Sequence, residues 1–224
     1  MSSIKIAERF FDERRAAARI ICAPNLTPAP GQYLLAHDPA SDSALAAPVF
    51  CAARLADGFL AAAPLPRTWT AGTTLSMRGP LGRGFHLPPA ARRVLLAAQD
   101  VSASLLMALI EPALAQGASV ALTCDSPPDD LPAQVEIQPW RAFADLCAWA
   151  DYLALAVTRE SLPGLVADSG AGNPLRAVTE AQIFVAVPMP CGGVAECGVC
   201  SVVSSRGFKL ACEDGPVFEL AELF

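Results

Sequence analysis

Histidine and lysine are nearly absent from this 224-residue chain, which contains only His37, His86, Lys5 and Lys209. Two histidines cannot build a His-rich metal site, and they argue against a Ser-His-Asp triad. The 22 acidic residues outnumber the 16 basic ones, which gives a formal net charge of −6, and the basic residues form no stripe. Nucleic acids and anionic membrane surfaces are therefore not expected partners.

The chain also lacks an uninterrupted apolar segment of the about 20 residues that a membrane-spanning helix needs, so no membrane insertion is predicted. The stretch 94–110 is broken by Gln99 and Asp100. Residues 1–15 are densely charged and contain no apolar signal-peptide core. These features predict a cytoplasmic protein, in which the eight cysteines need an explanation other than disulfide bonds.

The order of apolar runs predicts an all-β unit followed by an α/β unit. Residues 1–88 contain short apolar runs separated by turns, a pattern typical of a small antiparallel β-barrel. Residues 89–180 alternate predicted strands and helices, which indicates a parallel sheet of the nucleotide-binding type. Residues 181–224 form a third, small unit that begins with a predicted strand at 183–187 and continues into a cysteine-dense segment.

Two helices are predicted in the central unit. The first begins after Ser102 as its N-cap, is kinked at Pro112 and ends at Gly117. The second lies near residues 140–149. The strands around them are predicted at 93–98, 118–124, 135–137 and 152–157.

The cysteine-dense segment carries the strongest chemical signal in the sequence. Its spacing is C-x5-C-x2-C-x11-C, and the interleaved glycines allow the backbone to approach a bound group closely. The spacing C-x4-C-x2-C…C holds a [2Fe–2S] cluster in plant-type ferredoxins, and here the first gap is one residue longer. The sequence therefore predicts a [2Fe–2S] cluster, with the candidate ligands Cys191, Cys197, Cys200 and Cys212.

Other interpretations of these cysteines remain open at this point. A structural zinc ion could be held by all four thiolates, although zinc ribbons usually pair two C-x2-C elements and only Cys197 and Cys200 form one. Inert buried cysteines or a disulfide are further alternatives, whereas a Rieske centre is excluded because neither histidine lies near the segment. The dispersed cysteines are predicted to be small core residues, namely Cys22, Cys51, Cys124 and Cys147.

Two stretches of this segment resemble the iron–sulfur end of the dihydroorotate dehydrogenase electron transfer subunits, which belong to the ferredoxin-NADP reductase-like superfamily. They are M-P-C-G-G…C-G-V-C at residues 189–200 and G-F-K-L-A-C-E-D-G-P-V-F at 207–218. Upstream, P-G-Q-Y at 30–33 resembles the P-G-Q-[FY] strand of that family. R-G-P-L-G-R-G-F at 78–85 resembles its G-P-L-G-x-x-F junction, so the resemblance runs in order over nearly the full length.

The resemblance implies a fold and a set of cofactors. It implies an FAD-holding β-barrel at 1–88, an NAD-binding-like α/β domain at 89–180 and a [2Fe–2S] domain at 181–224. In that family electrons pass between NADH, FAD, the cluster and the FMN of a partner dehydrogenase. Carried over to this sequence, the cluster ligands are Cys191, Cys197, Cys200 and Cys212.

The sequence departs from the family in both nucleotide motifs. The flavin motif R-P-x-S or R-x-Y-S aligns with residues 46–51, where alanine replaces arginine and Cys51 replaces serine. The candidate flavin contacts are Pro48, Phe50 and Cys51. Losing a charged phosphate contact costs roughly 1.5–3 kcal/mol, so FAD binding is predicted to be weakened or lost. Arg67, in a shortened phosphate loop, is a candidate replacement.

The NADH motif is more strongly altered. The family places a glycine-rich turn after the first strand of the α/β domain, where a pyrophosphate meets a helix N-terminus. This sequence has A-A-Q-D-V-S at 97–102, and the carboxylate of Asp100 would repel phosphate. NAD is therefore not expected to bind, and the later C-G-P motif has no counterpart at 152–159.

Three functions are consistent with these residues, and no residue is predicted to be catalytic. The first is an accessory subunit of an oxidoreductase complex that relays electrons through a [2Fe–2S] cluster to or from a partner flavoprotein dehydrogenase. The second is an FAD-containing reductase subunit with altered flavin contacts. The third is a degenerate structural subunit of a larger complex. The first two predict a heteromeric assembly whose substrate chemistry lies on the other chain.

Overall fold

The structure, a computed structural model, describes residues 2–11, 17–43, 45–167 and 173–223. Its N-terminal part is an antiparallel β-barrel, as the sequence predicts, and the barrel is closed. Its six strands are β1 (Ser2–Arg9), β2 (Ala18–Ile21), β3 (Tyr33–His37), β4 (Ala47–Leu55), β5 (Gly58–Ala61) and β6 (Thr74–Leu81). Their spatial order is β1-β2-β5-β4-β3-β6, and the short strand β5 is missing from the sequence prediction.

Alternation of side chains along the strands builds the interior of the barrel. In β1, Ile4 and Ile6 are buried, and in β4 the same period brings Val49 and Cys51 inside. The residues between them face outward, either to solvent or to the rest of the molecule. Because of this alternation, Phe50 points away from the barrel interior and packs against the core of the second sheet.

The remaining strands are β7 (Arg93–Gln99), β8 (Ser119–Cys124), β9 (Val135–Gln138), β10 (Tyr152–Thr158), β11 (Glu180–Ala186), β12 (Ser201–Ser204), β13 (Gly207–Leu210) and β14 (Val217–Glu219). Six of them form the second sheet, in the order β14-β11-β10-β7-β8-β9, of which the last five are parallel. The parallel sheet predicted within residues 89–180 is confirmed for β7, β8, β9 and β10. The strand predicted at 183–187 in a separate third unit is β11, which joins this sheet, and β14 pairs antiparallel with it, so the sheet is mixed. The hairpin β12–β13 lies in the segment between β11 and β14.

The helices are short. The single helix predicted from Ser102 to Gly117 is wrong in its first half, which consists of the 3-10 turns Ala103–Leu105 and Met107–Leu109. The α-helix begins only at Ile110, so Pro112 lies in its first turn, where proline is tolerated, rather than at a kink. The helices are α1 (Ile110–Ala115), α2 (Phe143–Trp149), α3 (Leu162–Ala167) and α4 (Leu220–Leu223).

None of these helices is long and apolar enough to cross a membrane, within the part of the chain that the structure describes. The 3-10 turn Trp140–Ala142 precedes α2, so that together they cover the predicted helix near 140–149.

The barrel and the C-terminal segment meet at the G-P-L-G motif. The Arg83 amide donates to the Gly215 carbonyl at 2.5 Å, and Arg83 also forms an isolated parallel bridge with Pro216. Gly82 has a φ of +74°, and a Cβ on it would lie 2.7 Å from the same Gly215 oxygen. This close backbone approach explains why glycine stands at the junction.

Candidate functional site

The four candidate ligands are carried by one loop and one hairpin. Cys191 and Cys197 lie in the loop between β11 and β12, Cys200 directly precedes β12, and Cys212 follows β13. The loop turns sharply because Gly192, Gly193 and Gly198 all have positive φ angles. None of the four cysteines forms a disulfide.

The cysteines are arranged as two pairs. The Sγ atoms of Cys191 and Cys197 are 3.6 Å apart, and those of Cys200 and Cys212 are 3.2 Å apart. The second pair is formed by the hairpin, whose register places Ser201 opposite Leu210 and whose closing bond runs from the Ala211 amide to the Cys200 carbonyl at 3.1 Å. The hairpin register therefore sets which two thiols meet.

The two pairs differ in solvent access and in thiol acidity. Cys197 is exposed, whereas Cys200 and Cys212 are 1% and 6% exposed. Backbone N–H groups of Gly193 and Ala195 lower the pKa of the Cys191 thiol to about 7. Burial, together with the neighbouring Cys200 thiol, raises the pKa of Cys212 to about 12. The Cys191 thiol thus ionises more readily than an ordinary cysteine in the absence of any metal, and the Cys212 thiol less readily.

Tyr33 of the barrel lies within reach of both pairs. Its hydroxyl donates to the Cys212 carbonyl at 3.4 Å. Burial raises the pKa of Tyr33 to about 12, negative charge on Cys212, Cys200 and Cys191 adds to the increase, and Arg78 opposes it. Among the described residues, however, no three His, Cys, Asp or Glu side chains form a group that could hold a single metal ion.

Residues 187–200, between β11 and β12, form the cysteine loop. Two arginines contact the main chain of this loop and of the residue that follows it, and the sequence analysis missed both. Arg78 of β6 donates through Nη2 to the Cys191 carbonyl at 3.2 Å and to the Gly192 carbonyl. Arg159, which follows β10, donates through Nη1 to the Val199 carbonyl at 2.9 Å and to the Ser201 carbonyl at 3.3 Å. The loop is therefore held from the barrel on one side and from the sheet on the other.

The three candidate flavin contacts do not share one face of β4. Pro48 and Phe50 are partly exposed, whereas Cys51 is buried inside the barrel, where burial raises the pKa of its thiol to about 12. The ring of Phe50 packs edge-on against Phe184 at a centroid distance of 5.0 Å and lies 5.8 Å from Tyr33. Cys51 therefore points away from the barrel face on which a flavin could lie against Phe50.

Arg67, the candidate phosphate partner, lines a cavity of about 320 Å³ together with Arg9. The Arg9 guanidinium donates hydrogen bonds to the backbone carbonyls of Ala17 and Leu65, so these donors are already occupied within the protein. Among the described residues that line this cavity, Arg67 is thus the cation that remains exposed to an incoming anion.

A second cavity, of about 470 Å³, lies at the carboxyl ends of β7 and β10. This is the point at which strand order reverses, where open α/β sheets bind nucleotides. The described residues that line it include Asp100 and Glu160 but no Lys or Arg. Asp100 has a φ of +57° and accepts a hydrogen bond from Ser161 Oγ at 2.7 Å. Two carboxylates thus line the place where a pyrophosphate would lie.

The hairpin is anchored by Glu222 of α4. Its carboxylate accepts from Lys209 Nζ at 2.8 Å, from Arg83 Nη1 at 3.3 Å and from the Glu219 amide at 3.2 Å. Burial opposes its ionisation, but these hydrogen bonds outweigh burial and lower the pKa of Glu222 below its usual value. One carboxylate therefore connects β13 with the barrel junction.

We expect Glu222→Gln to reduce the free energy of unfolding by about 1 kcal/mol at pH 7. Because the folded-state pKa is lowered, the contribution of the carboxylate is present above the unfolded pKa and is lost as pH falls through the folded one. Urea unfolding of both proteins at pH 7 and near pH 3 measures this. Glu8→Gln, which breaks an exposed pair with Arg19, is the control with little expected effect. An equal deficit at both pH values would contradict the assignment.

Comparison with known proteins identifies the fold. The whole chain superposes on 90% of a chain from the structure of NADH-dependent reduced ferredoxin-NADP oxidoreductase, studied for flavin-based electron bifurcation, with a TM-score of 0.74 and 17% identity. It also matches the ferredoxin reductase in carbazole 1,9a-dioxygenase. For the FAD apo form of that reductase, the TM-score is 0.53 at 16% identity, over 79% of this chain and 63% of the other.

The other form of the same reductase gives a TM-score of 0.51 at 15% identity, over 69% of this chain and 58% of that one. No protein-family model and no curated protein sequence matches the chain. Likeness at these identities extends to the arrangement of strands and helices. The chain therefore has the ferredoxin-NADP reductase-like fold.

Proposed function

We propose that the chain is an electron-transfer subunit of the dihydroorotate dehydrogenase electron-transfer type. In this proposal a [2Fe–2S] cluster on Cys191, Cys197, Cys200 and Cys212 relays electrons to or from a flavin-containing partner dehydrogenase. The observation that carries the proposal is the arrival of the four sulfurs as two close pairs. Each iron of such a cluster takes two protein ligands.

The distances within the pairs are compatible with this chemistry. Two thiolates on one tetrahedral metal, with metal–sulfur bonds of about 2.3 Å, lie about 3.8 Å apart. The Cys191–Cys197 separation of 3.6 Å is close to that value, and the Cys200–Cys212 separation of 3.2 Å is shorter than it. A single zinc ion would need all four sulfurs around one point, whereas the described residues contain no such group of three or more. Two pairs of thiols are the ligand arrangement that the proposal of two irons, each with two protein ligands, requires.

When bound, the cluster supplies one-electron transfer, and the chain's own residues hold it and control access to it. N–H groups of Gly193 and Ala195 face the Cys191 sulfur. The burial of Cys200 and Cys212 keeps water from the inner pair. Hydrogen bonds to sulfur and solvent exposure are among the factors that set the potential of iron–sulfur clusters.

The charge of the nucleotide crevice bears on the identity of the electron donor. The carboxylates of Asp100 and Glu160 line the nucleotide crevice without a compensating Lys or Arg among its described lining residues. We propose that NADH is not the electron donor of this chain. The electron exchange then takes place with the partner flavoprotein, at the exposed Cys197 side of the cysteine loop.

An FAD-containing reductase subunit is the second candidate, and the position of Phe50 favours it. Phe50 is partly exposed on the outer face of β4 and lies beside Tyr33, whose hydroxyl contacts Cys212. A flavin stacked on Phe50 would be one side chain away from the inner cysteine pair. The superposition on ferredoxin reductases is compatible with such a cofactor.

Cofactor content of the anaerobically purified chain tests both candidates. We expect about two irons and two acid-labile sulfides per chain. Stoichiometric zinc in a colourless protein would refute the cluster. Flavin is measured in the same sample by fluorescence after acid release. Bound flavin would favour the FAD-containing subunit, and its absence the relay through the cluster alone.

A further inference from the structure

Two arginines, one from the barrel and one from the sheet, donate hydrogen bonds to backbone carbonyls in and next to the cysteine loop. We propose that Arg78 and Arg159 are positioning residues that orient the peptide groups of the cysteine loop and raise the reduction potential of the cluster. The inference deepens the proposed function and rests on it.

The Arg78 contact fixes the peptide groups of the first candidate ligand and of the residue that follows it. Arg78 donates to the Gly192 carbonyl, and that carbonyl belongs to the same peptide as the Gly193 N–H. In a planar trans peptide these two groups point in opposite directions. Because Arg78 holds the Gly192 oxygen, the Gly193 N–H points to the opposite side of this peptide, away from the guanidinium.

The packing around Gly192 leaves this peptide little freedom. A Cβ on Gly192 would lie 2.7 Å from Leu35 Cδ2 and 2.8 Å from Arg78 Nη2. The loop is thus seated against two barrel strands, β3 and β6, with the guanidinium beneath it. Arg78 acts on the sulfur through this peptide rather than by touching it.

Arg159 holds the other end of the loop in a similar way. It donates to the carbonyls of Val199 and Ser201, which flank the inner ligand Cys200. Its own amide donates to the Ala186 carbonyl of β11 at 3.3 Å, which fixes the start of this segment on the sheet. The two arginines therefore bracket the stretch from the first ligand to the third.

The expected effect on the cluster follows from charge. Reduction adds one negative charge, and a nearby positive charge or an inward N–H dipole stabilises that state more than the oxidised one. Arg78 is exposed and Arg159 is partly exposed, so screening reduces the Coulomb interaction, but the orientation of the peptide groups does not depend on salt. Removing either guanidinium should make the reduced cluster less stable.

The test is an EPR-monitored redox titration of the full chain with its cluster, for Arg78→Gln, Arg78→Lys and Arg159→Gln. At the midpoint of the unsubstituted protein, we expect Arg78→Gln to lower the reduced-to-oxidised ratio about tenfold, which corresponds to 59 mV for a one-electron couple. Arg159→Gln should lower it as well. Arg78→Lys should restore part of the ratio, because it keeps the charge but not the fork of donors.

The control is Arg54→Gln, which makes the same change in net charge on β4, where Arg54 is exposed and pairs with Phe59. It should leave the potential and the EPR spectrum unchanged. If Arg78→Gln fails to fold, Arg78→Lys and Arg159→Gln decide the question. Unchanged potentials and spectra in the arginine variants that retain iron would overturn this inference alone. Absence of iron from the unsubstituted chain would overturn the proposed function together with it.

Discussion

Replacing Cys200 by alanine is expected to remove the proposed [2Fe–2S] cluster, with iron and sulfide per chain falling at least tenfold. Cys200 is buried and its Sγ is 3.2 Å from that of Cys212, so alanine takes one of the two thiols from the inner pair. Because metal binding and folding are coupled in small metal-binding units, the apparent Tm should fall as well. Metal analysis, visible absorbance and thermal unfolding of Cys200→Ala measure these effects.

Cys147→Ala is the matched control for that variant. Cys147 is also fully buried, but it lies in α2, away from the cysteine loop. It should cost stability through a small cavity while leaving the iron content unchanged. Full iron in Cys200→Ala would show that the ligand assignment is wrong. If cluster-free Cys200→Ala supported full activity of the partner complex, the chain would instead be a structural subunit.

The second large effect is expected from Gly82→Ala at the junction between the barrel and the C-terminal segment. The new Cβ would lie 2.7 Å from the Gly215 oxygen and 2.9 Å from Pro216 Cδ, at a φ of +74°. The left-handed conformation costs about 1–2 kcal/mol for a residue with a Cβ, and overpacking adds about 1–3 kcal/mol. We expect the free energy of unfolding to fall by about 3 kcal/mol, measured by urea unfolding.

Gly72→Ala separates the two contributions. Gly72 lies in the same barrel with a φ of +92°, but a Cβ on it would meet no atom within 4 Å. It should therefore show only the conformational cost, about 1–2 kcal/mol. Equal losses in the two variants would mean that the Gly82 contact with Gly215 does not hold the C-terminal segment on the barrel.

The order of elements was accessible from sequence because it depends on short-range patterns. Alternating apolar residues predict the barrel, and continuous apolar runs such as 93–98 and 152–157 predict the buried parallel strands. The strand Gly58–Ala61 was missed although Asp57 and Gly58 form a typical hairpin signal, because only four residues follow the turn. The antiparallel strand β14 was missed because pairing with β11 requires the chain to return from the hairpin.

For the candidate site too, some features could be predicted from the sequence and others could be seen only in the structure. The spacing of Cys191, Cys197, Cys200 and Cys212 is local, so the sequence alone singles out these four cysteines as candidate ligands. Their pairing depends on three positive-φ glycines and on the register of β12 with β13, which no spacing states. Cys51 was predicted as a flavin contact, and only the strand alternation in the closed barrel shows that its thiol points inward.

Composition and local spacing were thus enough to predict which kinds of site this chain could contain. The features used were few histidines, clustered cysteines and no glycine-rich turn after residue 98. The grip of Arg78 and Arg159 on the cysteine loop could be found only in the folded molecule. Arg78 is 113 residues from Cys191, and Arg159 is 40 residues from Val199. The Arg78 contact depends on how the barrel packs against the cysteine loop, and the Arg159 contact depends on how that loop packs against the sheet. In sequence, these two arginines look like any other surface arginine.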